Sequence, residues 1–310
     1  MAPGTAVRHR LEFAVARSVQ ACLRFLPMTA VRACGGALGA MVSVVDRFHR
    51  RIALDNLAQA FPSRSERENA LVCSGMFRHF GSLLLELIQF SALRPEQMLE
   101  RVEVEGQEHV RQAYRQGKGV LYFTGHFGYW EIQAIAFAVH AEPISVVARP
   151  LDNHHLHAML ERIRTCTGNA VIYRQGGLRR VLRDLQNNRG VAMLIDQHLH
   201  SDAVSVEFFN RPAATTSALA ALALRTGAPV IPVFAFPLPG GRYRLIYDRP
   251  VPAPETKGPD AIREFTQRCT DVLEMYVRRY PGLWLWMHRR WRDVDPATVR
   301  GMFPAASGEE

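Results

Sequence analysis

The chain has 310 residues, of which 48% are hydrophobic and 22% charged, ordinary globular values that exclude a disordered chain, a collagen-like repeat and a polytopic membrane protein. Its net charge of +9 rests on 38 basic residues, and only Lys118 and Lys257 are lysine. Guanidinium groups hold carboxylates and phosphates in bidentate fashion and stay protonated, so the composition calls for an anionic partner.

Five scattered cysteines (Cys22, Cys34, Cys73, Cys166, Cys269) form no Cys-x-x-Cys pair, which argues against a disulfide framework and a zinc site and for a reducing compartment. Arg8, Arg10, Arg17 and Arg24 interrupt the start of the chain, so no cleaved signal peptide is expected. From Leu11 to Phe25 apolar and polar residues alternate at helical spacing, the pattern of an amphipathic helix. Ala33 to Val45 is free of charge but shorter than the about 20 apolar residues a spanning helix needs, and extending it back to Phe25 admits Arg32. That favours an interfacial or re-entrant helix over a span with Arg32 snorkelling or a pair of core-packing helices, with Arg47, Arg50 and Arg51 suited to a cytoplasmic face.

A long helix is predicted over 65–90, with Leu71, Phe77, Phe80, Leu84, Leu87 and Ile88 on its packing side. Short β-rich runs follow at 102–104, 120–123, 144–147, 170–172, 191–195, 230–234 and 243–246. Helical stretches near 107–116, 129–139, 153–166, 177–187 and 215–226 separate most of them, and a last helix covers about 259–279. This alternation predicts a single α/β domain over 49–310, with a mostly parallel or mixed central sheet flanked by helices, preceded by a membrane-associating helical segment over 1–48. Pro232 within a strand suits an edge or a bulge better than a central position.

Chemistry concentrates in Gly119-Val-Leu-Tyr-Phe-Thr-Gly-His126-Phe-Gly-Tyr-Trp-Glu131, where a buried-looking strand runs into a glycine-flanked turn. Ligands of open α/β sheets bind at the carboxyl ends of strands. Glu131, in the first turn of the next helix, can accept a hydrogen bond from one imidazole nitrogen and leave the other to remove a proton from an attacking hydroxyl. The same spacing recurs from His288 to Asp293, in a crowded basic and aromatic segment without glycine. A His–Glu pair that merely braces the turn is the structural alternative. Two further strands end in polar groups, at Arg149 and at Asp196-Gln197. The histidines at 154, 155, 157, 198 and 200, with Asp202, form polar tracts without a His-Glu-x-x-His pattern, and no metal is assigned to them. Leu283 to Trp291 mixes tryptophan with arginine, as at membrane interfaces, although tryptophans capping the core explain it equally.

Taken in order, His126-x-x-x-x-Glu131, Ala-Arg149-Pro, Asp196-Gln197, Phe208-Phe-Asn-Arg211-Pro-Ala-Ala-Thr-Thr, Leu-Arg225-Thr-Gly-Ala-Pro-Val-Ile-Pro-Val-Phe and Trp286-x-His288-Arg-Arg-Trp291 resemble the bacterial lipid A late acyltransferases. These are the lauroyl and myristoyl transferases within the glycerophosphate and lysophospholipid acyltransferase group. The resemblance runs from about Asn56 to Arg292. It implies a glycerophosphate acyltransferase-like fold and transfer of a fatty acyl group from an acidic acyl carrier protein or CoA thioester to a hydroxyl of an anionic membrane lipid or glycolipid. It also implies the cytoplasmic face of a bacterial inner membrane, and no cofactor beyond the donor.

By position, the resemblance makes His126, Glu131 and Arg149 catalytic, and Gly125, Gly128, Tyr129, Trp130, Asp196, Gln197 and Arg211 substrate-binding. Backbone amides of the glycine turn or Arg149 would then stabilise the oxyanion. Tyr129 departs from the family, which often has Asn before Trp-Glu. The acceptor expected is a lipid A precursor, with a phosphatidylinositol mannoside or a lysophospholipid as alternatives. No motif supports nucleic-acid binding. An idle protein that binds membranes or carrier protein, and a hydrolase using the same base, are the rival readings.

Overall fold

The computed structural model describes residues 3–90, 92–173, 176–198 and 203–291. Three helices open the chain: α1 (Pro3–Leu23), α2 (Met28–Val45) and α3 (Arg47–Ala60). Asp46 ends one and starts the next, its carboxylate accepting the His49 amide. A capping box between Ser65 and Glu68 then starts α4 (Glu66–Phe90), the long helix. Its packing face is not the one expected throughout. Phe77 and Leu87 are buried with Cys73, Met76, Leu83 and Phe90, whereas Leu71 and Leu84 face outward.

Beyond α5 (Pro95–Leu99), seven strands form one sheet: β1 (Val102–Glu105), β2 (Val120–Thr124), β3 (Ser145–Ala148), β4 (Ala170–Tyr173), β5 (Gly190–Leu194), β8 (Val230–Leu238) and β9 (Arg242–Tyr247). The order is β1-β9-β8-β2-β5-β3-β4, parallel throughout except between β8 and β9. The intervening helices are α6 (Gln107–Tyr114), α7 (Trp130–His140), α8 (His154–Thr165), α9 (Gly177–Gln186) and α10 (Ala218–Thr226), with α11 (Pro259–Arg279) after the sheet. Side chains alternate along each strand. Leu121, Phe123, Val230 and Phe234 join the core under α3, α4, α9, α10 and α11, while Val120, Tyr122, Ile231 and Val233 join the core under α6, α7 and α8.

Two further features depart from the sequence expectation. Pro232 sits in a central strand. Its place is the handover between neighbours: pairing with β2 ends at Phe123–Pro232, pairing with β9 begins at Val233–Tyr247, and the Pro232 carbonyl accepts the Asp248 amide. The Phe208 to Thr216 block belongs to an unforeseen antiparallel hairpin, β6 (Ala203–Glu207) and β7 (Pro212–Thr216), so α10 starts only at Ala218.

The N-terminal helices dock on this body. Asn153 caps α8 and also donates to the His9 carbonyl at 2.9 Å and to Glu12 at 2.8 Å on α1. Helix α2 meets α4 through small residues: a Cβ on Gly39 would lie 2.0 Å from the Phe77 carbonyl oxygen, and one on Gly81 2.2 Å from that of Gly35. Arg32 turns inward and forms a bidentate pair with the fully buried Glu86, at 2.7 and 3.0 Å. Tyr129 and Tyr243 donate their hydroxyls to the same carboxylate. Arg32 therefore does not snorkel. By length and composition α2 and α4 are each apolar enough to cross a membrane, but α4 is built into the core and carries the partner of Arg32.

Candidate functional site

The site lies where β2 and β5, neighbours in the sheet, end side by side. The turn after β2 carries His126 and the turn after β5 carries Asp196. His126 Nδ1 lies 2.8 Å from Asp196 Oδ1, and the His126 amide donates to Oδ2 at 2.6 Å. The Trp284 indole donates to the same Oδ2 at 2.8 Å. Glycine makes this approach possible, because a Cβ on Gly125 would sit 2.8 Å from Asp196 Oδ2. Gly128 has φ +57° and faces the Ala235 carbonyl oxygen, which a Cβ would meet at 2.0 Å.

Electrostatics follow from this geometry. Burial works to lower the His126 pKa, but the Asp196 charge and hydrogen bond outweigh it and hold the ring above the ordinary histidine value. Burial works to raise Asp196, and the His126 charge, its hydrogen bonds and the Trp284 indole hold the carboxyl well below the usual range. With Asp196 fixing the proton on Nδ1, the lone pair rests on Nε2. The side-chain amide of the exposed Gln197 lies 3.3 Å from Nε2 and is its hydrogen-bond partner. Trp130 flanks the imidazole edge-on at 5.3 Å between ring centres, and His288 lies near parallel to it at 6.4 Å. Burial pushes His288 below the ordinary histidine value, with His126 and Arg290 adding to the effect against Asp196.

Glu131 is placed differently from the sequence expectation. It is almost buried at the start of α7, but both its oxygens are held by the Arg164 guanidinium from α8, so the residue that orients His126 is Asp196. Five residues along a turn and a helical start carry Glu131 past the ring toward the neighbouring helix. Arg149 follows β3 at the same sheet edge, but its side chain is 87% exposed and pairs with Asp152 at 3.6 Å rather than with His126. Nor are all the turn amides available for an oxyanion, since those of His126, Gly128 and Tyr129 donate to Asp196, Leu283 and Ala235. Tyr129 is buried with its hydroxyl on Glu86, inside the core rather than on a pocket wall. Arg211 lies in the β6–β7 turn, its guanidinium 4.3 Å from the centre of the Trp291 ring.

Sequence reasoning missed Trp284, Arg164 and His288 as members or supports of this site. The closing segment is core, with Trp284 and Trp286 buried rather than at an interface, and the α3 residue Asn56 donates to the Trp286 and His288 carbonyls at 2.8 and 3.0 Å. Among the described residues no three His, Cys, Asp or Glu side chains are grouped to hold a metal; His200 and Asp202 lie outside the described residues.

An open α/β sheet carrying a carboxylate-oriented histidine at its carboxyl edge defines an enzyme-like proton-transfer site. The chain belongs to the bacterial lipid A biosynthesis acyltransferase family, whose family profile matches residues 6–293. It is 26% identical over 272 residues to a lipid A biosynthesis lauroyltransferase of Escherichia coli, covering 86% of this chain and 87% of that one. It is 25% identical over 210 residues to a phosphatidylinositol mannoside acyltransferase of Mycolicibacterium smegmatis, covering 66% and 67%. A solved structure of the 1-acyl-sn-glycerophosphate acyltransferase of Thermotoga maritima matches 81% of this chain and 96% of that one, at 14% identity and a TM-score of 0.36.

Proposed function

We propose that the chain transfers a fatty acyl group from an acyl carrier protein or CoA thioester to a hydroxyl of a membrane glycolipid, a lipid A precursor in the first instance, at the cytoplasmic face of the inner membrane. The observation that carries this reading is the His126–Asp196 pair, with Nε2 turned toward the exposed Gln197, in a chain of this family. The acceptor hydroxyl gives its proton to His126 Nε2 as its oxygen attacks the thioester carbonyl. The ring becomes imidazolium, which Asp196 stabilises. Collapse of the tetrahedral intermediate breaks the carbon–sulfur bond, and the departing thiolate takes the proton back from Nε2, so no acyl-enzyme is needed. The neutral His288 beside the ring and the Gln197 amide are the nearby side chains able to donate to the oxyanion. Glu131 serves this site through Arg164, by fixing the start of α7 against α8.

Purified protein is incubated with a radiolabelled acyl carrier protein thioester and with acyl-CoA, with and without bacterial lipid extract, and His126→Ala is run in parallel. Label in a glycolipid that depends on His126 supports the reading, and its mass separates a lipid A precursor from a mannoside. Free fatty acid alone would make the protein a hydrolase. Absence of turnover with either donor would leave a binding protein.

A further inference from the structure

The junction of α2, α3 and α4 holds an open cavity of about 670 Å³, away from the histidine, lined by Arg47, Arg50 and Arg51 with Ser43, Asp55 and Ser74. All three guanidinium groups are exposed, and none is in an ion pair among the described residues. Their position is costly. They occupy the first turns of α3, where the helix macrodipole already presents positive charge and disfavours cations. Next to the cavity the α2–α3 corner projects apolar side chains into solvent: Val44 is 73% and Val45 76% exposed, with Met41 and Phe48 beside them. Arg289, next to His288, lies over the Phe48 ring at 5.4 Å and extends the basic rim toward the active site.

We propose that this cavity binds the headgroup phosphate of an anionic phospholipid in the bilayer, with the Val44, Val45 and Phe48 corner entering the acyl layer beside it. The occupant is argued from two adjoining features. Unpaired arginines complement phosphate oxygens, and the exposed apolar corner at their side matches the amphipathic boundary of a leaflet. An acidic carrier protein would use the first feature and leave the second in water. The far end of α3 holds the His288 segment through Asn56, so a lipid bound at Arg47, Arg50 and Arg51 sets the height of the catalytic edge above the membrane. The inference rests on reading the chain as an enzyme of membrane lipids and names the contact that seats it there.

The test is flotation of the full chain with phosphatidylcholine vesicles, with and without phosphatidylglycerol. Each arginine near an anionic surface strengthens partitioning roughly fivefold, so the triple variant R47Q/R50Q/R51Q is expected to bind phosphatidylglycerol vesicles about a hundredfold more weakly, and each single variant roughly fivefold. The control R111Q/R115Q/R263Q removes the same charge from other exposed positions and is expected to bind as wild type. V44S/V45S is expected to weaken binding as well. Equal loss in both triple variants would reduce the effect to net charge and overturn the site. Displacement by inorganic phosphate at constant ionic strength, with V44S/V45S binding as wild type, would make it a free-anion site. Weakened capture of acyl carrier protein with vesicle binding intact would give it to that partner. Vesicle binding is read without turnover, so an inactive protein with arginine-dependent binding would sink the transferase reading and leave this one standing.

Discussion

His126 and Asp196 are 70 residues apart in sequence and 2.8 Å apart in space, because the parallel pairing of β2 with β5 brings two strand ends to one rim. The carboxylate also accepts the His126 amide and the Trp284 indole. It is therefore rigid, and it sets both the tautomer and the charge of the ring.

Asp196→Asn is expected to lower kcat by about 10²- to 10⁴-fold, the range of a positioned general base. Glu131→Gln breaks the pair with Arg164 instead of the pair with His126. Its expected signature is a lower Tm, with the acid limb of the pH–rate profile moved less than in Asp196→Asn. Steady-state kinetics on both variants across pH check the assignment. A larger shift of the limb in the Glu131 variant would restore Glu131 as the orienting carboxylate.

The pH dependence of the wild type follows from the same pair. A base must be unprotonated, and His126 is held above the 6.5 of an ordinary histidine by Asp196 against the effect of burial. The value of kcat/KM is expected to rise with pH to a plateau with its midpoint above 6.5, and removal of the Asp196 charge is expected to bring that midpoint down. A wild-type midpoint at or below the ordinary value would separate His126 from the rate.

Strand runs such as Val120–Phe123 and Val191–Ile195 were legible in the sequence because their hydrophobic density outweighs their neighbours, and His126 was legible because two glycines frame it. The partner of His126 was not. Helical spacing offered Glu131, but contacts between strand ends depend on sheet order, which no local pattern encodes. The β6–β7 hairpin was hidden for a related reason: Pro212-Ala-Ala opens β7 with residues depleted in strands, and pairing with β6 rather than propensity makes it a strand. Arg32 misled in the other direction. As a charge in an apolar helix it suggested snorkelling, and only the fold supplies Glu86 opposite it.

That buried pair has its own consequence. Arg32→Met leaves the fully buried Glu86 without its cation and is expected to cost about 3–5 kcal/mol of stability, the usual result of removing one partner of a buried pair. Adding Glu86→Gln removes the stranded charge, keeps one acceptor oxygen for a tyrosine hydroxyl and turns an amide donor toward the other, whose hydroxyl oxygen can accept it. Denaturant unfolding of the single and double variants is expected to show the double variant recovering most of the loss. If the double variant is no more stable than Arg32→Met, the pair is not the energetic tie between α2 and α4.

His79 on α4 makes the stability of the fold itself depend on pH. Burial lowers its pKa from 6.5 to about 4, against the Gly128 hydrogen bond and the Glu86 charge, which act to raise it. At neutral pH the uncharged ring donates from Nε2 to the Gly128 carbonyl, 3.1 Å away, in the turn that carries His126. The unfolded chain binds a proton here before the folded chain does. The stabilising contribution is therefore complete above about 6.5 and is lost as pH falls toward about 4. His79→Gln keeps a donor for Gly128 and cannot titrate. Melting curves are expected to show a shallower fall in Tm across that window for the variant than for the wild type. Parallel curves would mean that His79 is not the group that loosens the Gly128 turn in acid.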